Sequence, residues 1–326
     1  MKLLTYVNRL VPAAVLGVSL LGCQSAYAAY PDKTIRVVVP TAVGTPIDIV
    51  TRIVTTRMAK DLGQAIVVDN KVGASGTIGG QEVLRSPADG YTLMTVFMPM
   101  AVAPAIIKSL PFDLRKDFTS VGQTVWSYNV LVTNPSVSAR TPAELIALLK
   151  AQPGKLSYAS GGLGTPAHVA GELFKLETEV LALHVPYNQF GLAITDLVGG
   201  THQFMFAASA AVVPFIESNR LRALAVTGTK RIPALPQVPT LLDLGFKNLV
   251  IRDWQGLMVR NGTPPDIVAR LSASIAVALA DPAVQQSLVN LGVDPAGGTA
   301  AELSALVDTE IKRWADVAKR QGLSVD

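Results

Sequence analysis

"SYASGGLGTPAHVAGELF" (157–174) runs from an apolar stretch through a glycine cluster into a helical pattern. A loop of this kind suits an anion, because the first N–H groups of a helix have no intrahelical partners and the helix dipole adds positive character there. Its Gly-Thr-Pro recurs in "VGTPIDIV" (43–50) and "NGTPPDIV" (261–268), each time after an expected strand and before an expected helix. Threonine suits the N-cap, where its oxygen accepts an orphan N–H, and proline suits the first helical position, where no donor is needed. Asp48 lies three residues after Thr45 and has the spacing to reach back, as in a capping box. The third copy has no glycine cluster before it and reads as a helix start only. The first two, "PTAVGTP" and "SGGLGTP", carry small residues whose N–H groups can face outward.

The surroundings alternate in the same way. "TIRVVVP" (34–40) reads as a buried strand, 47–62 as a helix ending at Gly63, "AIVVD" as a strand, 77–84 as a short helix and "YTLMTVF" as a strand. Beyond Trp126 the alternation restarts: "YNVLVT", a helix over 142–150, "KLSYAS", "ALHVPY", "HQFMFA" and "LRALAVTG". After a proline-rich stretch (231–240) come the strand "DWQGLMV" and helices from Pro265 and Ala300. Short apolar runs alternating with helices imply a parallel sheet covered on both faces. The expected architecture is α/β with two domains, 29–126 plus 250–326 and 127–249, and one anion loop from each at the cleft between them. Open α/β sheets bind ligands at that end.

Bulk properties narrow the function. At 49% apolar and 16% charged residues the chain has ample core material and is not a disordered sequence. Residues 1–28 read as an export signal: Lys2 and Arg9, an apolar run (10–22), and the small-x-small site at Ala26-Tyr27-Ala28. "LLGC" (20–23) competes as a lipobox that would make Cys23 a lipidated N-terminus. Either route exports the protein. Without Lys2 and Arg9 the net charge of +4 falls by two to +2, and the cations form no stripe, so nucleic acid is not expected. Cys23 is the sole cysteine, so the mature chain has no thiol chemistry. The histidines at 168, 184 and 202 lack metal-ligand spacing, and no cofactor is expected.

Phosphate is a poor fit for the anion. Gly162-x-Gly164-x-x-Ala167 meets the loose dinucleotide fingerprint, but no acidic partner is clear near residue 185 and neither loop has the Lys of a phosphate loop. A carboxylate held mainly by backbone N–H groups fits better. His168 and Asp48 read first as groups that bond nearby backbone, while Thr41, Thr45, Ser160 and Thr165 can donate hydroxyls to ligand or water. Phe97, Met98, Met100, Trp126, Tyr128 and Phe190 fall near expected strand ends; a lining of this kind without Lys or Arg suggests a ligand with an apolar or aromatic body.

Six stretches, "RVVVPTAVGTPIDIVTRIV" (36–54), "VVDNKVGASGTIGGQEVLRSPADGYTLM" (67–94), "LPFDLRKDFTSVGQ" (110–123), the opening segment, "HVPYNQFGLAITDLVGG" (184–200) and "LRALAVTGTKRIPALPQVPTLLDLGF" (221–246), resemble the periplasmic solute-binding proteins of tripartite tricarboxylate transporters, the Bug family. The resemblance runs in order over essentially the whole mature chain. It implies a type II periplasmic-binding fold that closes on a small carboxylate such as citrate, a dicarboxylate, an acidic amino acid, or a nicotinate-like or aromatic acid. It further implies two pincers holding one carboxylate through amides and waters: Thr41, Ala42, Val43, Gly44 and Thr45 with Asp48, and Ser160, Gly161, Gly164 and Thr165 with His168. Ser75 in "NKVGASG", Tyr187 and Asn188 after "VP", and Met98 complete the expected ligand set. Where the family reads Gly-Gly in the first pincer this chain has Gly44-Thr45, and its "PYKG" has become Pro186-Tyr187-Asn188-Gln189, which removes a cation near the cleft.

The expected partners are therefore a small carboxylate and the membrane permease subunits of a tripartite transporter, with the receptor a monomer in the periplasm. A sensor that presents the same closed form to a signalling partner is the alternative. A secreted hydrolase is less well supported: Gly-x-Ser-x-Gly and Ser-x-x-Lys do not occur, and neither Ser75 nor Ser160 has an evident base.

Overall fold

A computed structural model describes residues 30–73 and 76–321. The expected signal, Cys23 and Ser75 lie outside the described residues. Strand β1 (Ile35–Val39) is buried along nearly its whole length, as its continuous β-branched run requires, and pairs in parallel with β2 (Ile66–Asn70) and β3 (Thr92–Phe97). A second parallel group joins β5 (Ser157–Ser160) to β6 (Leu183–Pro186) and β7 (Phe204–Ala208). Between the groups run β4 (Phe118–Thr133) and β9 (Arg252–Arg260), antiparallel to each other and to β3 and β7. The order is β2-β1-β3-β9-β4-β7-β5-β6, with β8 (Arg222–Val226) and β10 (Val293–Pro295) also paired to β4.

The sheet is thus mixed, which corrects the parallel expectation. The cause is β4, a strand of 16 residues that serves both groups. Its first part, to Tyr128, pairs with β9; from Asn129 it pairs with β7, and from Val130 also with β8. Register shifts at Ser120/Gly122 and Gln123/Val125 interrupt its alternation, so only its second half reads as a strand in sequence.

Helices α1 (Pro46–Leu62), α2 (Thr77–Leu84), α4 (Pro142–Ala151), α5 (Pro166–Thr178), α8 (Pro265–Ala280) and α10 (Ala300–Gln321) follow the sequence reading. Helix α3 (Met98–Ile106) begins directly at the end of β3, where the sequence reading has no helix. Its "MPMAVAPAI" is apolar all round with an internal proline, so it shows no helical stripe; nearly every residue is buried. Helices α6 (Phe190–Val198), α7 (Ser209–Glu217) and α9 (Pro282–Asn290) complete the chain. Three apolar clusters fill the layers. One, under α1, α8 and α9, covers the outer face of the first strand group. Another, under α6 and α7, covers the outer face of the second. The largest lies between α3, α5 and α10 and draws on both groups.

Candidate functional site

The first two Gly-Thr-Pro loops share a backbone but not the expected cap: Thr45 Oγ1 accepts from the Asp48 N–H (3.4 Å), whereas the Thr165 hydroxyl caps no N–H. Thr45 and Thr165 are N-caps with identical backbone angles, φ −70° and ψ 156°. Thr45 donates through N (3.3 Å) and Oγ1 (2.9 Å) to Ala42 O; Thr165 donates through N (3.4 Å) and Oγ1 (2.7 Å) to Gly162 O. Gly44 and Gly164 occupy the left-handed region at φ +80° and +75°. The N–H of each glycine donates to the side chain four residues on: Gly44 to Asp48 Oδ2 (2.9 Å), Gly164 to His168 Nδ1 (3.1 Å). Those amides are therefore taken. The apex residues differ: among the described residues nothing accepts from the N–H of Val43 or Leu163, and their side chains stand 72% and 42% exposed. Each loop tip therefore presents an unpaired amide just ahead of a helix N-terminus, a group of the kind that can accept an anion.

Each loop has its own brace. Asp48 is buried and accepts from Gly44, from Arg52 Nε (3.0 and 3.1 Å) and from Asn70 Nδ2 (2.9 Å). Asn70 Nδ2 also donates to Thr41 O (2.9 Å), and the Thr41 and Thr45 hydroxyls lie 2.9 Å apart. Burial pushes the Asp48 carboxyl up, but the bonds from Arg52, Gly44 and Asn70 outweigh it and hold the group below the usual carboxylate range. In the second loop His168 stacks on His184 with ring centres 4.3 Å apart, and His184 stacks in turn on Tyr158. Burial brings both imidazoles down to about 4, so they are neutral, as an Nδ1 that accepts from Gly164 must be. Asp48 and His168 thus shape the loops. Asn70 opens the "NKVGASG" loop that the resemblance sets at the cleft, but its bond to Asp48, and the parts played by Arg52 and His184, were not read from sequence; the i,i+4 spacing of Asp48 and Arg52 is a signal that could have found one of them.

Ser160 ends β5 fully buried, its Oγ 2.7 Å from His184 Nε2 and bonded to the N–H and C=O of Gly162. The distance is that of a nucleophile and base. However, a buried hydroxyl engaged on three sides and an imidazole with pKa near 4 suit a loop brace better than an attack on substrate. Tyr187 N–H donates to Ser160 O (3.0 Å), while its hydroxyl donates to Asp196 Oδ2 (2.6 Å) beside His202 Nε2. Asn188 is exposed. Met98 is buried in the first turn of α3. That helix meets the second loop: a Cβ on Gly164 would lie 2.7 Å from Ile106 Cδ1. Phe97, Met100 and Tyr128 are core residues, and the Arg252 guanidinium lies 3.8 Å over the Trp126 ring, a cation absent from the sequence reading of this lining. Among the described residues no three His, Cys, Asp or Glu side chains are grouped to hold a metal ion. The third Gly-Thr-Pro departs from the expected cap: Pro264 takes the N-cap because Pro265 takes the first helical position, and Thr263 Oγ1 donates to Arg260 O (2.8 Å).

The sequence profile of the tripartite tricarboxylate transporter family receptor matches residues 50–323. The chain belongs to that receptor family. It is 34% identical to the protein BugT of Bordetella pertussis over 97% of this chain and 98% of that one. A Rhodopseudomonas palustris protein solved with adipate is 30% identical and superposes with a TM-score of 0.83, over 91% of this chain and all of the other. MatC of the same organism, solved with malate, is 31% identical with a TM-score of 0.78, over 88% and 99%. The mixed sheet and the two parallel strand groups are accordingly the periplasmic-binding fold of this receptor family, and the relatives are solute-binding receptors.

Proposed function

We propose that the protein captures a small carboxylate outside the cytoplasm and delivers it to the permease subunits of a tripartite transporter. The observation that carries this reading is the pair of matching loops with unpaired amides at Val43 and Leu163. Thr41, Ala42 and Thr45 in one loop, and Gly161, Gly164 and Thr165 in the other, frame those amides. Asp48, Ser160 and His168 hold them in place, and Tyr187, Asn188, Ser75 and Met98 border the ligand. Adipate and malate in solved relatives support the ligand class. The moving units are 29–126 with 250–326 and 127–249, hinged on β4 and β9. Closing them is unfavourable until one anion meets both loops, so ligand shifts the population toward the closed form. The receptor works as a periplasmic monomer, exported by residues 1–28.

A thermal-shift screen of the purified protein against mono-, di- and tricarboxylates tests this. A ligand that binds only the folded state adds about 2.7 kcal/mol at a hundredfold excess over Kd, a shift of roughly 5 °C or more. Shifts confined to one class of acid support the reading. No shift with any acid, in protein that is folded and ligand-free, overturns it.

A further inference from the structure

Strands β4 and β9 are buried almost throughout. Away from its start, β4 reaches solvent only at Trp126 and Ser127; away from its end, β9 does so only at Arg252 and Asp253. The four are neighbours, because Ser127 pairs with Asp253 and the adjoining rungs carry Trp126 and Arg252. From Asn129 onward β4 pairs with β7 instead of β9. Solvent thus reaches the crossing strands at the level where the two strand groups part.

Strand alternation sends these residues to opposite faces. Arg252 and Trp126 share one, with the guanidinium stacked on the indole ring. Asp253 and Ser127 share the other. Gln255, two residues from Asp253 and on its face, donates through Nε2 to Ile47 O (3.1 Å) and Thr51 Oγ1 (2.8 Å), so α1 lies over this face on one side. Leu131, four residues from Ser127 and on its face, packs in the cluster with Leu173 and Phe174 of α5, which places α5 over it on the other. The Asp253–Ser127 rung therefore lies between the two helices that the amide loops open.

Asp253 is a carboxyl without a counter-ion. It accepts from the N–H of Trp254 (2.9 Å) and from Ser127, and among the described residues no cation pairs with it. The charged group that acts on it is Glu310 of α10, which repels; burial and that repulsion push the carboxyl up to about 7. A carboxylate held in this way destabilises the empty protein. Asn188 adds to the pattern, since it stands where the family's "PYKG" carries a lysine. The cleft has lost a cation and kept an unpaired acid.

We propose that Asp253 is a specificity residue of the cleft: it accepts a hydrogen bond from an ammonium or hydroxyl group on the ligand and rejects a second carboxylate there. The inference rests on the carboxylate reading above and narrows it to monocarboxylates that carry a donor away from the gripped end. Such a donor supplies the partner that Asp253 lacks in the empty protein, whereas a second carboxylate would set two like charges together.

The test is isothermal titration with straight-chain acids of four to eight carbons that differ only at the far end: carboxylate, ammonium, hydroxyl or methyl. At the best-fitting length, wild-type protein should bind the ammonium or hydroxyl acid at least about tenfold more tightly than the diacid. Asp253→Asn, nearly the same shape, should weaken binding of that acid about tenfold to a hundredfold, strengthen diacid binding severalfold, and leave the methyl-ended acid within about twofold. A merely structural role would change all four affinities together and leave their ratios unmoved. Wild-type protein that binds the diacid as tightly as the donor-bearing acids at every length, or ratios unchanged in Asp253→Asn, would overturn the inference while leaving carboxylate binding intact. The wild-type comparison stands even if the variant fails to fold. Failure of folded wild-type protein to bind any acid would overturn the carboxylate reading and this inference with it.

Discussion

Replacing Gly44 and Gly164 separately by alanine makes a controlled comparison, because the two residues share a backbone conformation and differ in surroundings. At φ +80° and +75° an alanine in either place meets the same left-handed strain, about 1–2 kcal/mol, reduced by several tenths through the stiffer unfolded chain. At Gly44 nothing lies within 4 Å of the added Cβ, so about 1 kcal/mol is the whole effect. At Gly164 the new Cβ would stand 2.7 Å from Ile106 Cδ1, closer than carbon atoms pack, and Ile106 is itself buried. Shifting that methyl adds roughly 1–2 kcal/mol of overpacking. Urea denaturation should therefore rank the variants with Gly164→Ala lower by at least about 1 kcal/mol, and melting temperatures should fall by roughly 2 °C and 4–6 °C. Equal losses, or a smaller loss at Gly164, would refute the claim that the second loop packs against α3.

Other outcomes follow from the braces. Asp48→Ala strands the N–H of Gly44 and the amide of Asn70, and should cost about 2–3 kcal/mol in urea denaturation; a loss under about 1 kcal/mol would contradict the assigned bonds. His168 titrates near 4 in the folded protein against 6.5 unfolded, so between those values the unfolded chain binds more protons. Its contribution is complete above pH 6.5 and is lost as pH falls toward 4, about 3 kcal/mol in all. The stability of His168→Gln should depend less steeply on pH over that window; parallel profiles would contradict a buried neutral imidazole.

What was legible in the sequence was local. Threonine before proline before an amphipathic run announced α1 and α5, and Asp48 three residues after Thr45 announced a group that shapes the loop. The pairing of strands was not local, and Gly122 with two register shifts hid half of β4, the strand that makes the sheet mixed. Helix α3 was invisible because a helix buried on all sides has no polar face to set a period. His184 meets Ser160 only because β5 and β6 lie side by side, 24 residues apart in the chain. The recurrence of Gly-Thr-Pro was readable, but its equivalence was not: all three threonines donate to the carbonyl three residues back, yet the third copy puts proline at the cap, and only in the first two does the glycine N–H donate to the side chain four residues on.

The claim that the two loops act as one carboxylate clamp is tested most directly at the amides themselves. In isotope-labelled protein titrated with an acid found by the thermal-shift screen, the N–H resonances of Val43 and Leu163 should both move, with one shared saturation curve. Movement of one amide alone, or of neither while the acid binds, would contradict the account.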